Sequence, residues 1–348
     1  MSNNIPYKNE LNQFKLFPGT RYMGSKNKII SNIWEVFSEL SFNSFFDAFA
    51  GSNVVSYFMK SMGKKVITND FMRMSFLTAK AIIENSLIKL EEDELDFLIK
   101  NSNKENHISK FFEGLYFSDE DNRFIDKIKF NISILNNDYK KSIAMSALIR
   151  ACIKKRPRGI FTYTGHRYDD GRKDLKKSIK EHFIESVLLY NNSVFNNGKD
   201  CKAFNKPVEK LNIQADLVYF DPPYFTPNSD NDYVRRYHFV EGLARNWEGL
   251  EIQTNTKTKK FKSYESAFSN KLNTYKAFDN LISYYQNSII AISYSSNSYP
   301  KKDEMLSILK KYKNDVVVHE INHVYSFGNQ NKKAQETNRV KEYLFIGK

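Results

Sequence analysis

The segment from residue 217 to residue 224 places the tightest constraint on how this 348-residue chain can fold. It begins with the apolar run Leu217–Phe220 and continues into Asp221-Pro222-Pro223-Tyr224. The run is short and rich in residues that favour strands, and the two prolines can neither continue a helix nor donate to a sheet ladder. We therefore predict a buried strand that ends at Asp221. In an open α/β sheet, ligands bind beyond the carboxyl ends of the strands, so the segment predicts a carboxylate at a binding edge.

The turn after this strand offers hydrogen-bond acceptors and few donors. The prolines remove two N–H groups, which leaves the Asp221 carboxylate and the Pro222 carbonyl as acceptors. Such a site suits an uncharged amino group, because holding both hydrogens of an exocyclic NH2 aims its lone pair at an electrophile. Tyr224 offers a flat face on which a base extracted from a duplex can stack. A strand that ends in a purely structural Asp-Pro turn is the alternative interpretation.

Two further apolar runs favour an α/β sheet. Residues 45–53 have the pattern of a strand followed by a small-residue turn, and small residues let a ligand approach the backbone closely. Residues 65–70 have the pattern of a second strand that ends in Asp70, roughly 20 residues after that turn, where doubly wound folds place a carboxylate for ribose hydroxyls. A plain helix cap is the alternative role of Asp70. We predict a Rossmann-like, doubly wound sheet.

A glycine-bearing loop precedes the first long amphipathic pattern, which covers residues 28–40. A loop that leads into a helix N-terminus suits an anionic or carboxylate group. Gly19, Gly24 and Lys26 in this loop also approximate a P-loop, which would make the chain an NTPase. The order Gly-Ser-Lys argues against that reading, because it displaces the lysine and removes the hydroxyl that binds magnesium in a P-loop.

The middle of the chain loses the alternation of strands and helices. Apolar residues at helical spacing dominate from about residue 76 to 189, so we predict a mostly helical insertion at 76–189 within a sheet domain made of 1–75 and 190–348. The chain carries a net charge of +13, which favours a polyanionic partner such as nucleic acid. Basic and aromatic residues alternate in the insertion around a Pro-Arg-Gly turn, a composition that suits phosphate contacts and base stacking. The candidate DNA contacts are Arg150, Lys154, Lys155, Arg156, Arg158, Thr162 and Arg167. A merely solvated charged hairpin is the alternative.

A second basic stretch lies at residues 251–270, which are rich in Lys, Thr, Asn and Ser. It is a candidate mobile lid or second nucleic-acid surface, and an ordinary flexible loop is an equal alternative. Cys152 and Cys201 lie far apart without metal-ligand spacing, so we expect reduced thiols and a cytosolic protein. The six histidines form no ligand cluster, and we expect no bound metal. Met1 to Glu10 is polar and no later stretch is long enough to cross a membrane, so no membrane partner is expected.

Over nearly its whole length the chain resembles the Dam-like class of DNA adenine-N6 methyltransferases, which use S-adenosylmethionine. The elements follow the order of that class: a cofactor loop, a glycine turn, a helical insertion, the DPPY tetrapeptide and closing strands. In the class, the first loop has an aromatic residue four positions before a lysine, matched here by Tyr22 and Lys26, and an acid after the second strand, matched by Asp70. An FxGxG-like signature is matched by Asp47 and by Phe49-Ala50-Gly51-Ser52, with Asn53 and Val54 where a further glycine is expected.

The resemblance implies direct transfer of a methyl group to the N6 amine of an adenine flipped out of double-stranded DNA. It implies that Asp221 and the Pro222 carbonyl hold the amine, that Pro223 completes the turn and that Tyr224 stacks on the base. It also implies that the helical insertion recognises the DNA target. The residues that it assigns to the cofactor are Tyr22, Lys26, Asp47, Phe49, Ala50, Gly51, Ser52, Asp70 and Asp221.

The resemblance also implies a biological setting. We expect a monomeric, cytoplasmic enzyme of a bacterium or phage that acts in a restriction–modification system, with a cognate restriction endonuclease acting separately. The same chemistry could serve cytosine N4 or an RNA base, because related tetrapeptides occur in cytosine-N4 enzymes. A P-loop NTPase and a non-catalytic DNA-binding protein on the same scaffold are the more distant alternatives.

Overall fold

A seven-stranded sheet forms the centre of the computed structural model, which describes residues 8–101, 106–165, 171–226, 232–324 and 339–348. The predicted DNA contact Arg167 lies outside these ranges. The strands are β1 (Ser44–Asp47), β2 (Lys65–Asn69), β3 (Lys202–Phe204), β4 (Leu217–Phe220), β5 (Ile289–Ser295), β6 (Val316–Val324) and β7 (Arg339–Gly347). Their spatial order is β3-β2-β1-β4-β5-β7-β6.

Strands β1 to β5 run parallel, and β7 lies antiparallel between β5 and β6. The order reverses between β1 and β4, because β2 and β3 extend the sheet on one side and β5 extends it on the other. Such a switch point opens a crevice beyond the carboxyl ends of the two central strands. The predicted doubly wound α/β fold is confirmed, and Asp47 and Asp221 stand at this crevice.

Helices cover both faces of the sheet. They are α1 (Lys8–Phe14), α2 (Ile30–Phe37), α3 (Val54–Ser61), α4 (Arg73–Ala79), α5 (Glu92–Lys100), α6 (His107–Phe111), α7 (Asp119–Ser133), α8 (Asp138–Lys155), α9 (Lys173–Lys176), α10 (Ile179–Ser193), α11 (Tyr233–Ala244), α12 (Lys271–Tyr284) and α13 (Lys302–Leu309), and a π-helical turn, Lys80–Glu84, extends α4. No helix in the described ranges is both long and apolar enough to cross a lipid bilayer.

Two hydrophobic clusters hold the layers together. One joins Phe45 and Val66 of the sheet to Leu148 of α8 and Phe183 of α10. The other packs the opposite face of the sheet against α12 and α13. The helical segment between β2 and β3 therefore shares a continuous core with the sheet, and burial of these apolar side chains fixes it there. The division into domains at residues 76 and 189 stays a prediction.

Candidate active site

A cavity of about 550 Å³ opens beyond the carboxyl ends of β1, β2 and β4. Its lining includes every residue that the sequence assigned to the cofactor: Tyr22, Lys26, Asp47, Phe49, Ala50, Gly51, Ser52, Asp70 and Asp221. The structure thus brings together residues from separate stretches of the chain. We call this space the carboxylate cavity, because three aspartates line it.

The turn after β1 is built around Gly51. Its φ of 50° lies in the left-handed region, which glycine adopts without strain. A Cβ atom at this position would stand 3.1 Å from the ring of Tyr22, so the aromatic residue of the first loop packs directly on the turn. The Gly51 N–H donates to Asp70 Oδ2 at 2.8 Å, and the Met72 N–H donates to Asp70 Oδ1 at 2.8 Å. Burial raises the pKa of Asp70 to about 6.

Asn53 stands where the resembled class has a further glycine, and its backbone adopts the left-handed conformation that glycine adopts without strain. Its φ is 64° and its ψ is 13°, and asparagine tolerates this left-handed region better than most residues with side chains. Its side-chain amide donates to the Ser75 carbonyl at 2.9 Å, which ties the turn to α4. The turn therefore keeps its shape despite the substitution.

One carboxylate oxygen of Asp47, which lines the cavity, has no hydrogen-bond donor among the described residues. One of its oxygens, Oδ2, accepts a hydrogen bond of 2.7 Å from the Ser56 hydroxyl. The other, Oδ1, is buried and has no hydrogen-bond partner among the described residues. Burial is the largest cause that raises the pKa of Asp47 to about 7; the Ser56 hydrogen bond opposes this rise, and the nearby charges of Asp221 and Asp70 contribute to it. A buried orphan acceptor is costly, so this position fits a ligand that brings an N–H donor or a positive charge.

Lys26 lies against the DPPY turn. Its Nζ is 2.8 Å from Asp221 Oδ1, 2.8 Å from the Tyr224 hydroxyl and 3.3 Å from Glu342 Oε1. The lysine side chain is 5% exposed and that of Glu342 is 1% exposed, so the group is screened from solvent. Lys26 lines the predicted cofactor site, but its ammonium joins the DPPY turn to a buried acid.

Sequence reasoning missed Glu342. The residue lies on β7 directly opposite Ser295 of β5, so sheet pairing brings Glu342 next to the DPPY turn. The Ser293 hydroxyl donates to its carboxylate at 3.1 Å. A signal was present, because Glu342 shares one strand face with the buried residues Leu344 and Ile346, where an acid is unexpected.

The DPPY turn carries its charge in a poorly solvated environment. Burial raises the pKa of Asp221 to about 6, although the charge of Lys26 lowers it and that of Glu342 raises it. The Tyr224 hydroxyl contacts both Asp221, at 2.9 Å, and the Glu342 carboxylate. It has one hydrogen and can donate to only one of the two carboxylates at a time. At neutral pH the turn therefore presents an ionised acceptor whose position is fixed by a lysine and a tyrosine.

A second cavity, of about 910 Å³, adjoins the carboxylate cavity. The two cavities share Phe71, Pro223 and Tyr233 in their linings. The remaining walls of the second cavity are largely aromatic or hydroxyl-bearing, and its lining also includes Tyr224, Phe225, Thr226, Asp232, Ser263, Tyr264, Ser266, Phe268 and Ser269. We call it the aromatic cavity. Flat faces beside Pro223 and Tyr224 of the DPPY turn suit a planar ring that carries an amino group.

The structure contradicts the predicted DNA contact at Arg156. The side chain is 1% exposed, and its guanidinium lies against three aromatic rings. It donates to the backbone carbonyls of Tyr116, Ile160, Tyr163 and Gly165. The prediction was wrong because these carbonyls need a donor inside the fold, and Arg156 holds the segment after α8 closed.

Most of the other predicted DNA contacts are also engaged within the protein. Lys154 forms an ion pair of 2.6 Å with Asp174. Lys155 donates to the Lys177 carbonyl, and Arg150 donates to the Gly19 carbonyl at 3.1 Å. Exposed Arg158 and half-buried Thr162 are the other predicted contacts within the described ranges. Among the described residues, no group of three or more His, Cys, Asp or Glu side chains could hold a metal ion.

Comparisons with known proteins agree with this arrangement. A family model described as the D12 class N6 adenine-specific DNA methyltransferase matches residues 22–308. The chain is 30% identical over 346 residues to the Type II methyltransferase M2.HphI of Haemophilus parahaemolyticus, which covers 95% of this chain and 97% of that protein. It is 26% identical over 345 residues to the Type II methyltransferase M.NlaIII of Neisseria lactamica, covering 93% and 98%. Identity to the modification methylase StsI of Streptococcus sanguinis is 26% over 350 residues, which covers 93% of this chain but only 51% of the longer relative.

Proposed function

The chain belongs to the D12 class of N6 adenine-specific DNA methyltransferases, and from that premise we propose that its carboxylate cavity binds S-adenosylmethionine and its aromatic cavity receives the target adenine. As a member of this class it methylates adenine at N6 in DNA. The observation that carries the proposal is the shared wall of the two cavities. Pro223 lines both, and Asp221 stands beside it at the edge of the carboxylate cavity.

The residues of the carboxylate cavity fit the cofactor group by group. The orphan Asp47 Oδ1 suits the α-ammonium of the methionine part. Asp70 retains acceptor capacity for ribose hydroxyls, because each of its oxygens accepts one backbone N–H and has a second lone pair. The absence of a side chain at Gly51 lets the Tyr22 ring pack on the turn that lines this cavity. Three aspartates around the space also complement a positively charged sulfonium.

Bound S-adenosylmethionine supplies an electrophilic methyl group on a positive sulfur. On the protein side, the Asp221 carboxylate and the Pro222 carbonyl accept the two N6 hydrogens and turn the nitrogen lone pair toward the carboxylate cavity. The Asp221 carboxylate would stabilise the positive charge that the N6 nitrogen gains on accepting the methyl group, and it would accept the proton that this nitrogen then loses and pass it to solvent. Lys26 keeps Asp221 ionised and in place through its 2.8 Å contact.

The aromatic cavity would hold the base after it leaves the duplex. Extraction of a base costs a few kcal/mol of pairing and stacking, and stacking against aromatic side chains returns part of that cost. Tyr224 and Phe225 provide such surfaces next to the catalytic turn. Selection of adenine over cytosine rests on membership of the family, because the turn by itself accepts either amine.

Curated relatives carry the names of Type II and modification methyltransferases. We propose that the chain likewise protects DNA in a restriction–modification system, opposite a restriction endonuclease that acts as a separate protein. The decisive experiment expresses the wild-type chain and the Asp221→Ala variant in a methylation-free host and sequences the genomic DNA for N6-methyladenine. Wild type should leave modified adenines at one recurring sequence, and the variant should leave none. Modified cytosines, or equal methylation by the variant, would refute the proposal.

A further inference from the structure

A lysine-rich hairpin projects from the chain between α11 and α12. Ile252 and Phe261 form an antiparallel bridge, and the Gln253 N–H donates to the Lys260 carbonyl at 2.8 Å. Residues 252–262 contain four lysines, Lys257, Lys259, Lys260 and Lys262, and no acidic residue. We call residues 252–262 the lysine hairpin. Its positive charge has no compensation within the hairpin itself.

The lysine hairpin is anchored to the rest of the fold. Phe261 is 3% exposed, meets the ring of His238 edge-on and stacks with Tyr264 at a centroid distance of 6.0 Å. The Tyr116 hydroxyl donates to the Thr258 carbonyl at 2.7 Å. Buried aromatic packing and a hydrogen bond near the tip indicate a fixed surface feature, whereas a lid would need a region with few such contacts.

The ammonium groups of the four lysines are not engaged by other described residues of the protein. Within the described parts of the chain, none of their ammonium groups forms an ion pair or a hydrogen bond. By contrast, Lys154 and Lys155 of the basic stretch after α8 are engaged with Asp174 and the Lys177 carbonyl. Unpaired lysines on an anchored hairpin give a local positive field that a polyanion can neutralise.

The lysine hairpin is followed directly in the sequence by a segment that lines the aromatic cavity. Lys262 is followed by Ser263, and residues 263, 264, 266, 268 and 269 line that cavity. The Ser263 hydroxyl donates to the Asp232 carboxylate at the start of α11, which fixes the junction. A nucleotide flipped into the cavity remains attached to its strand, so the sugar-phosphate backbone on either side must pass close to the cavity mouth.

We propose that the lysine hairpin binds the phosphate backbone of DNA beside the flipped adenine, and that it replaces the basic stretch at 150–158 as a main electrostatic contact. The inference rests on the proposed function, because it places the base in the aromatic cavity. Lysine ammonium groups act as point charges on phosphates and carry no sequence information by themselves. The hairpin therefore sets affinity and salt dependence, and leaves the choice of sequence to other residues.

The test compares two triple variants: one loses three positive charges in the lysine hairpin, and the control loses three positive charges far from it. The variant K257Q/K259Q/K262Q is compared with K65Q/K199Q/K310Q, whose exposed lysines lie around the amino ends of β2, β3 and β6, on the edge of the sheet opposite the cavities. Both variants change the net charge equally. Full-length proteins bind a duplex containing the target sequence, without cofactor, over a series of salt concentrations.

The hairpin variant should bind at least about tenfold more weakly, and the slope of log K against log salt should become shallower by about 0.9 for each phosphate that no longer pairs with a lysine. The control variant should match wild type in affinity and slope. Equal weakening in both variants, or an unchanged slope in the hairpin variant, would overturn the proposal. A changed set of methylated sites in the hairpin variant would also overturn it, because the hairpin would then read bases. The affinity and salt-slope measurements need no methyl transfer, so failure of the catalytic proposal would leave those two results intact, and the reverse also holds.

Discussion

Lys26 and Asp221 lie 195 residues apart in the sequence, and their side chains form an ion pair of 2.8 Å in a largely buried site. The pair joins the loop before the first long helix to the turn after the central strand. The lysine charge lowers a pKa that burial alone would raise further. The carboxylate that we propose as the acceptor of the adenine amine is thus kept ionised by a residue from a distant part of the chain.

Lys26→Gln should move the acid limb of the methyl-transfer rate to higher pH. The ionised form of Asp221 is the active acceptor, so activity is lost as pH falls through its pKa of about 6. Without the lysine charge that pKa rises, and each unit of rise costs about a factor of ten in rate below it. Single-turnover rates between pH 5 and 9 measure the shift, with exposed Lys28→Gln as control. An acid limb at the wild-type pH would show that Lys26 does not control the pKa of Asp221.

Glu342→Gln should move the same limb in the opposite direction. Its negative charge raises the pKa of Asp221, so its removal lowers that pKa and extends activity to lower pH. Glutamine keeps a hydrogen-bond partner for the Tyr224 hydroxyl, which limits structural change. Glu320→Gln, an exposed acid on β6, serves as the control. A shift to higher pH would contradict the assigned electrostatic role.

Asp47→Asn should change how stability depends on pH. Burial raises the pKa of Asp47 to about 7, so the protonated side chain is favoured in the folded state. That contribution is fully present below the unfolded pKa and is lost as pH rises through about 7. The variant has no titrating group at this position and does not lose that stability. The difference between the Tm of the variant and the Tm of the wild type should therefore increase by a few degrees between pH 5 and pH 8. Calorimetry also tests whether the variant binds S-adenosylmethionine more weakly. A pH-independent Tm difference would argue against a buried, titrating Asp47.

Gly51→Ala should weaken cofactor binding more than it lowers stability. The left-handed backbone costs a residue with Cβ about 1–2 kcal/mol, and the new Cβ would press on the Tyr22 ring 3.1 Å away. Gly63→Ala is the matched control, because Gly63 has a φ of 73° and open space around its Cβ position. Both variants should lose similar stability in thermal unfolding. The Gly51 variant alone should lose affinity for S-adenosylmethionine, and equal affinity in the two would place Tyr22 outside the cofactor site.

Arg156→Lys should destabilise the protein without changing the salt dependence of DNA binding. A lysine cannot reach the four carbonyls that the guanidinium bonds, and buried carbonyls without donors cost about 1–3 kcal/mol each. Denaturant unfolding should show this destabilisation. The exposed neighbour Arg158→Lys should be neutral in stability. A reduced salt slope in a folded Arg156→Lys protein would restore this residue as a DNA contact.

The sheet and the carboxylate cavity were predictable because their signals are local. Apolar runs that end in Asp47, Asp70 and Asp221 identify strands and the edge at which they meet. The first long helix was also predicted, although it covers Ile30–Phe37 rather than residues 28–40. The resemblance also implied closing strands, and the position of β7 beside β5 brings Glu342 to the site.

What the sequence did not reveal depends on tertiary contacts. A run of basic residues looks the same whether its charges face solvent or backbone carbonyls, so the burial of Arg156 could not be read from composition. The converse case is the stretch at residues 251–270, for which a mobile lid, a second nucleic-acid surface and an ordinary flexible loop were all left open. Anchoring through Phe261 and Thr258 requires partners in α11 and near residue 116, and no local pattern identifies them.

The antiparallel insertion of β7 has a consequence for biosynthesis. The turns after β1 and β2 that line the carboxylate cavity are translated before residue 75 and the DPPY turn by residue 224, but Glu342 joins Lys26 only after β7 has entered between β5 and β6. A ribosome-bound chain can thus carry every cavity-lining residue while the charge balance around Asp221 is still incomplete. For an enzyme that modifies DNA, the full electrostatic site is assembled only once residue 342 has been synthesised and β7 has paired with β5.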